Sequence, residues 1–318
     1  MTIDKKQLAS LTKKERRELQ REMARIKREA DRKRRKRRKA LGISGLILLI
    51  VAIIAAVGLV VWTQLRLANE GPQNMASDGI VLTGDGQAVA ATPTGAHGWL
   101  EPAASAPTPD TGIVPITIYV DYGSKDAAAF FATNGEQIQQ WVTYGFVQLE
   151  VKPIALDQYD DATENYSTLA ANAAACVANF APTNFLAVNT ALLDANPTVT
   201  DTPIDKAGVS KAVTTALGGE NTDVTTCIND DRYANWVATV SEAAANGPLQ
   251  STDVKNVAHS PLVLVHGEKF TGKNDESTDL LSFISQVIAA NEKEAKDSKE
   301  STGTPTPTPT GTSSEKAK

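Results

Sequence analysis

Few residues in this sequence could carry out chemistry beyond hydrogen bonding. The chain has two cysteines, Cys176 and Cys227, and three histidines, His97, His259 and His266. A cysteine thiolate can exchange disulfides, and a histidine can bind a metal or act as a general base. The cysteines are too far apart for a Cys-x-x-Cys motif, and the histidines lack zinc-ligand spacing. The sequence therefore predicts neither a metal site nor a bound cofactor.

One long uncharged stretch, Ala40 to Trp62, precedes all of these cysteines and histidines in the chain. Its 23 residues include no charged side chain. At about 1.5 Å per residue, a helix of this length crosses a hydrocarbon layer about 30 Å thick. A cleaved signal peptide is disfavoured because its apolar part has only roughly 7–15 residues. The stretch predicts a single-pass transmembrane helix surrounded by the lipid bilayer.

Charge is distributed unequally on the two sides of this helix. Residues 1–40 contain 18 Lys and Arg against 6 Asp and Glu, whereas residues 63–318 contain 14 against 31. Basic residues beside a membrane helix remain in the cytoplasm. We therefore predict a cytoplasmic amino terminus and an extracytoplasmic carboxy-terminal part in the cell envelope.

The basic amino-terminal segment, residues 1–39, is rich in helix-favouring residues. Leu19, Met23 and Ile26 form a thin apolar stripe that would suit a short coiled coil. The basic run from Arg32 to Lys39 is expected to contact anionic lipid headgroups. Nucleic acid is the less favoured partner because the segment has no aromatic side chain for base stacking.

Composition divides the rest of the chain into three segments. Residues 63–112 are rich in Pro, Thr and Gly and predict a spacer, interrupted by a hairpin of Ile80–Thr83 and Gln87–Ala90. Residues 113–291 are long enough for one folded domain. Residues 292–318 predict a disordered tail with a Pro-Thr repeat.

The predicted domain contains both strands and helices. Ile116–Val120 and Phe146–Val151 have the composition of strands, with a helix between them. A mainly helical block follows, and Leu262–Val265 opens a hairpin before a final helix at Leu280–Ala290. This order predicts an α/β fold whose sheet carries a helical insertion.

Four segments of the domain match, in order, those of a known family. They are a strand with an acidic-aromatic end at Ile116–Tyr122, the helical Phe130, a second strand at Val147–Ile154, and a loop and hairpin that begin at Ser260–Pro261. The region 116–290 resembles the membrane-anchored, DsbA-like branch of the thioredoxin-fold thiol–disulfide oxidoreductases. The resemblance implies a thioredoxin-like fold with an inserted helical block and a cis-proline loop at Ser260 and Pro261.

The resemblance fails at the positions that would carry the redox chemistry. The family places Cys-x-x-Cys between the aromatic end of the strand and the following helix, and here Ser124 and Ala127 stand at the two cysteine positions. A serine hydroxyl is too weak an acid to replace a thiolate, and alanine has no nucleophile. We expect Ser124 to cap the helix and predict no catalytic residue at this site.

Cys176 and Cys227 are then the only cysteines whose role has to be assigned. Two cysteines in an oxidising compartment usually form a structural disulfide. The resemblance implies the same, because relatives often carry such a pair in the helical insertion. The alternative is a redox-active pair in a working thiol–disulfide oxidoreductase that assists the folding of exported proteins.

The preferred functional hypothesis is a tethered, redox-inactive domain. The resemblance implies a groove beside Ser124 and Pro261 that receives an extended polypeptide, here from an envelope protein. A second alternative places the partner on the cytoplasmic basic helix. A Ser–His hydrolase built from Ser124 and His259 is disfavoured because the sequence has no G-x-S-x-G motif.

Overall fold

A computed structural model describes residues 13–156 and 161–301. The strands are β1 Ile80–Gly84, β2 Val89–Ala91, β3 Val114–Asp121, β4 Val147–Ile154, β5 Leu262–Val265 and β6 Glu268–Lys269. The helices are α1 Lys13–Asn69, α2 Lys125–Thr143, α3 Asp161–Phe180, α4 Phe185–Asp194, α5 Pro197–Thr200, α6 Lys206–Ala216, α7 Thr222–Asn229, α8 Ala234–Asn246 and α9 Ser277–Ser301. A 3₁₀ turn at Pro182–Asn184 precedes α4.

The chain divides into two compact units, Met1–Leu65 and Arg66–Lys318. The described part of the first unit belongs to α1, whose segment Leu48–Asn69 is long and apolar enough to cross a membrane. Its large side chains are exposed, as those of Leu48 and Ile54 illustrate. Helix α1 continues past Trp62 to Asn69, so the spacer expected from residue 63 begins as helix. The coiled coil stays a prediction.

The second unit is built on one six-stranded sheet in the order β2-β1-β4-β3-β5-β6. Strands β3 and β4 are parallel along their full length, from Val114 beside Val147 to Asp121 beside Ile154. Strand β5 runs antiparallel to β3, and the helical block α3–α8 lies between β4 and β5 in the sequence. This is the mixed α/β, thioredoxin-like arrangement with an inserted helical block that the sequence predicts.

Residues 71–91 belong to the sheet unit, which corrects the expectation of a spacer with an isolated hairpin. The hairpin of β1 and β2 exists, and β1 also pairs antiparallel with β4, with Ile80 opposite Val151. Met75, Ile80 and Leu82 are almost completely buried. The apolar side chains of β1 therefore complete the core, and the folded unit begins near Arg66 instead of residue 113.

The carboxy-terminal boundary also differs from the expectation. Helix α9 continues past Asn291 to Ser301, whereas the sequence predicts disorder from residue 292. Its last nine residues, Lys293–Ser301, include Glu, Ala and Lys, which are residue types that favour helix. The Pro-Thr repeat at 302–310 and residues 1–12 of the basic segment lie outside the described residues.

Candidate functional site

Ser124 lies at the start of α2, at the position that the resemblance assigns to the first cysteine. Its Oγ accepts a hydrogen bond from the backbone N–H of Ala127 at 3.2 Å, so the residue is the N-cap of the helix. The same hydroxyl donates to the backbone carbonyl of Ser260 at 2.6 Å. Ser124 is only 4% exposed. The hydroxyl therefore links the helix start to the loop before β5.

Ala127 lies within the first turn of α2 and is completely buried. It belongs to the same apolar core as Phe130. A methyl group at this position supplies packing and no polar atom. The two positions that the resemblance assigns to the redox cysteines are thus held by a structural hydroxyl and a core methyl.

Ser260 and Pro261 form the loop that faces Ser124. The peptide bond between them is cis. The Oγ of Ser260 accepts a hydrogen bond from the backbone N–H of Asp121 at 2.7 Å, and Ser260 is 5% exposed. Pro261 is half-buried, and β5 begins at the next residue. The structure therefore brings together Ser124, Ser260 and Pro261, the residues that the resemblance groups into one site.

The Ser–His hydrolase arrangement is absent from this part of the structure. His259 is exposed, and the hydroxyl proton of Ser124 is directed to the Ser260 carbonyl. A general base would have to accept that proton for serine to act as a nucleophile. Among the described residues, no cluster of His, Cys, Asp and Glu could hold a metal ion.

Asp121 is a site residue whose role the sequence did not reveal. It ends β3 and is completely buried. Its Oδ1 accepts hydrogen bonds from the Gly123 N–H at 2.8 Å and the Ser167 hydroxyl at 2.5 Å, and its Oδ2 accepts one from the Leu156 N–H at 2.6 Å. The carboxylate joins β3, α3 and the end of β4 behind Ser124. An acidic residue at the end of an apolar strand, two residues before Gly123, was the available signal.

Tyr122 is the second buried polar residue behind the site. Its hydroxyl donates to Oδ1 of Asn189 in α4 at 3.0 Å. Burial raises the pKa of Tyr122 above its ordinary value, and the neighbouring Tyr166 and Asp121 raise it further. The phenol therefore stays neutral and acts as a hydrogen-bond donor to the helical block.

Cys176 and Cys227 form a disulfide between α3 and α7. Their Cα atoms are 5.8 Å apart, and the side chains are 0% and 5% exposed. A thiolate must reach a disulfide sulfur to exchange with it. Buried in the helical block, this disulfide has the surroundings of a structural cross-link.

Comparison with known proteins agrees with this architecture. A protein-family model described as thioredoxin matches residues 112–286. None of the curated proteins matches the sequence. Solved structures with similarity include reduced DsbA from Mycobacterium tuberculosis, with 20% identity over 66% of this chain and 92% of that chain and a TM-score of 0.49. They also include the thiol-disulfide oxidoreductase MdbA from Actinomyces oris, with 20% identity over 57% and 84% and a TM-score of 0.45.

Proposed function

This chain belongs to the thioredoxin family, and from that premise we propose that it is a membrane-tethered, redox-inactive member that binds extended polypeptides in the cell envelope. The observation that carries the proposal is the hydrogen bond from the Ser124 hydroxyl to the Ser260 carbonyl. Thiol–disulfide exchange needs a thiolate at this helix start and a second thiol to resolve the mixed disulfide. Ser124 and Ala127 supply neither.

The polypeptide-binding role rests on what remains accessible beside the cis-proline loop. Lys125, Asp126 and His259 are exposed around the half-buried Pro261. These side chains offer charge of both signs and hydrogen-bond donors at the rim of a rigid loop. The loop is held by Ser124 and Asp121, so its shape is set before any partner binds.

Binding can be tested with a permanently unfolded, thiol-blocked test protein and the full chain in detergent micelles. With a test protein of net negative charge, we expect His259→Glu and Lys125→Glu each to weaken binding by roughly three- to tenfold, because each change places a repelling charge at the rim. Lys211→Glu changes an exposed lysine on α6 and is the control. Equal affinity for all three variants, or no binding by the wild type, would exclude this groove as the binding site.

The location of the domain is part of the same proposal. The apolar segment of α1 serves as the anchor, and the basic residues on its amino-terminal side remain in the cytoplasm. Protease added to right-side-out spheroplasts should remove the unit beyond Arg66 and leave the basic residues 13–38 protected. Protection of the sheet unit would reverse the orientation.

A further inference from the structure

Along β3 and β4 the two faces of the sheet differ in polarity, whereas Leu262 and Leu264 of β5 continue the second face as an apolar cluster with Tyr119. Successive side chains of a strand point to opposite faces. Ile116, Ile118 and Val120 of β3 belong to the main apolar core. Thr117 and Tyr119, between them, lie on the other face. Opposite them in β4 stand polar residues, so the second face carries a polar surface made of Thr117, Tyr119, Gln148, Glu150 and Lys152.

This polar face is covered by an extended segment, residues 101–111, called the strap below. The side-chain amide of Gln148 donates to the carbonyl of Pro107 at 2.7 Å, and that of Gln250 donates to the carbonyl of Ala103 at 2.9 Å. Both bonds recognise the backbone of the strap and none of its side chains. A different extended chain could therefore accept the same two hydrogen bonds.

The first residues of the strap are bound in the same way. Nε2 of His97 lies 2.7 Å from the carbonyl oxygen of Glu101 and must donate, because a carbonyl can only accept. Two bonds run the other way, from the N–H of Ala104 to the carbonyl of Ala76 at 2.9 Å and from the N–H of Glu101 to the carbonyl of Gly98 at 3.1 Å. Recognition mainly through carbonyls suits proline, whose missing N–H costs nothing in such a site.

The strap fills its place incompletely. A cavity of about 260 Å³ lies between Pro107–Pro109 and the side chains of Thr117, Tyr119 and Lys152. A neighbouring cavity of about 310 Å³ borders Ala103 and also Tyr119. Both cavities open to solvent, so they are clefts that run along the strap and would admit part of an extended chain.

The charges beneath the strap are satisfied without it. Nζ of Lys152 lies 3.2 Å from Glu150, and both side chains are 7% exposed. The Ser77 hydroxyl donates to Glu150 at 2.6 Å, and Lys152 lies over the ring of Tyr119. Burying an ion pair costs desolvation free energy. Release of the strap would return water to this pair, which lowers the net cost of opening.

The carboxy-terminal tail contains the tripeptide that the strap places over the cavity. Pro107-Thr108-Pro109 of the strap recurs as Pro305-Thr306-Pro307 and again as Pro307-Thr308-Pro309. Pro-rich sequences favour an extended conformation with low ordering cost on binding. Aromatic side chains beside donors are the usual receptors for such chains, and Tyr119 with Gln148 provides both.

We propose that the polar sheet face is a binding site for the Pro-Thr segment 302–311 of this chain, and that the strap occupies the site in competition with it. The site lies on the sheet face, apart from the loop of Ser124 and Pro261. The hydrogen bonds from Gln148 and Gln250 serve either occupant. Because only one of the two segments can occupy the site, binding of the tail would release the strap.

The test uses a fluorescent peptide of residues 302–312 and chains that keep the membrane helix, held in detergent micelles. Both chains end at Ser301, and one also carries Pro102→Ser, Pro107→Ser and Pro109→Ser in the strap. A tethered strap competes at millimolar effective concentration, so we expect the peptide to bind the strap variant at least about tenfold more tightly. Adding Gln148→Ala should abolish the gain, whereas adding Gln139→Ala, an exposed glutamine of α2, should not.

Three results would overturn the proposal. They are absence of peptide binding to a strap variant with native circular dichroism, equal binding of a peptide whose prolines are replaced by alanine, and binding of a strap peptide, residues 101–111, without binding of the tail peptide. Hydrogen exchange decides the matter if the strap variant does not fold. Removing residues 302–318 from the otherwise native chain should slow exchange of the Ala104 N–H, and an unchanged rate would contradict competition.

Discussion

An active thioredoxin-fold oxidoreductase has its reactive sulfur at the helix start beside the cis-proline loop. In this chain the helix start of α2 and the sulfur atoms of the helical block lie in two different places. At the helix start, Ser124 supplies the cap and the link to the cis-proline loop without sulfur. In the helical block, Cys176 and Cys227 supply sulfur in a buried cross-link. The comparison teaches that geometry and reactivity are separable. The helix start carries the cap and the contact with the cis-proline loop, and the sulfur of this chain lies in a buried disulfide elsewhere.

The largest effect should come from removing the cross-link. The double change Cys176→Ala and Cys227→Ala opens a loop of 51 residues. Chain-entropy arguments give about 4 kcal/mol of lost stability. Urea unfolding in detergent measures this loss. A loss below about 1 kcal/mol would contradict a structural role. Thiol–disulfide exchange activity that the wild type shows and the double variant lacks would mean that the disulfide is catalytic.

The second effect tests whether the helix start is held as rigidly as the disulfide. Asp121→Asn removes the charge of a buried carboxylate that accepts three hydrogen bonds. Bonds to a charged group contribute more than neutral ones, so we expect a loss of about 2–3 kcal/mol. Asp126→Asn changes an exposed acid in the first turn of α2 and should stay within about 0.5 kcal/mol. Equal unfolding free energies for the two variants would contradict the importance of the Asp121 network.

The third prediction restores sulfur to the helix start. Ser124→Cys with Ala127→Cys should create a pair that can form a disulfide, because the first turn of a helix brings such positions within reach. Asp126 lies between them and disfavours a neighbouring thiolate, so insulin reduction should be weak but above background. The wild type should show none. The control is the same pair with Asp126→Asn, which should be more active.

New thiols that cannot form a disulfide in the double variant would mean that Ser124 and Ala127 do not correspond to the family's cysteines. Mass mapping of non-reduced peptides distinguishes the new bond from the native one. Exchange activity in the unmodified chain would contradict the proposed loss of redox function instead.

The smallest effect concerns pH, since neither the Ser124 hydroxyl nor the disulfide titrates near neutrality. His97 contacts Asp78 through Nδ1 and the Glu101 carbonyl through Nε2. The hydrogen bond with Asp78 raises the pKa of His97 above its ordinary value, although partial burial opposes it. A raised folded pKa contributes stability that is complete below about pH 6.5, the ordinary value, and is lost as pH rises through the folded pKa.

Thermal unfolding from pH 5 to 9 measures this contribution. His97→Gln should flatten the decline of the unfolding midpoint above neutrality. Burial lowers the pKa of His266, so its contribution has the opposite sign and is lost as pH falls. His266→Gln therefore serves as the comparison, and identical pH profiles for both variants would contradict the role of His97.

Local sequence features predicted much of this molecule correctly. The β-branched run at Ile116–Val120 forms β3, the turn at Gly84–Gly86 separates β1 from β2, and the apolar stretch near the amino terminus lies in one long helix. Each of these depends on residues close together in the sequence, through propensity, turn chemistry or apolar length. The resemblance placed Ser124 beside the cis-proline loop because helix start and loop follow from the order of elements.

Only the tertiary structure decided where residues 63–112 belong. Their Pro, Thr and Gly content is that of a spacer, yet Ile80 pairs with Val151 and Gln148 binds the carbonyl of Pro107. Both contacts join residues far apart in the sequence, and composition carries no information about such partners. The burial of Asp121, Glu150 and Lys152 was hidden for the same reason. From sequence alone a charged residue is expected to be exposed. Its burial requires hydrogen-bond donors and an opposite charge that offset the desolvation free energy, and only the fold brings these groups together.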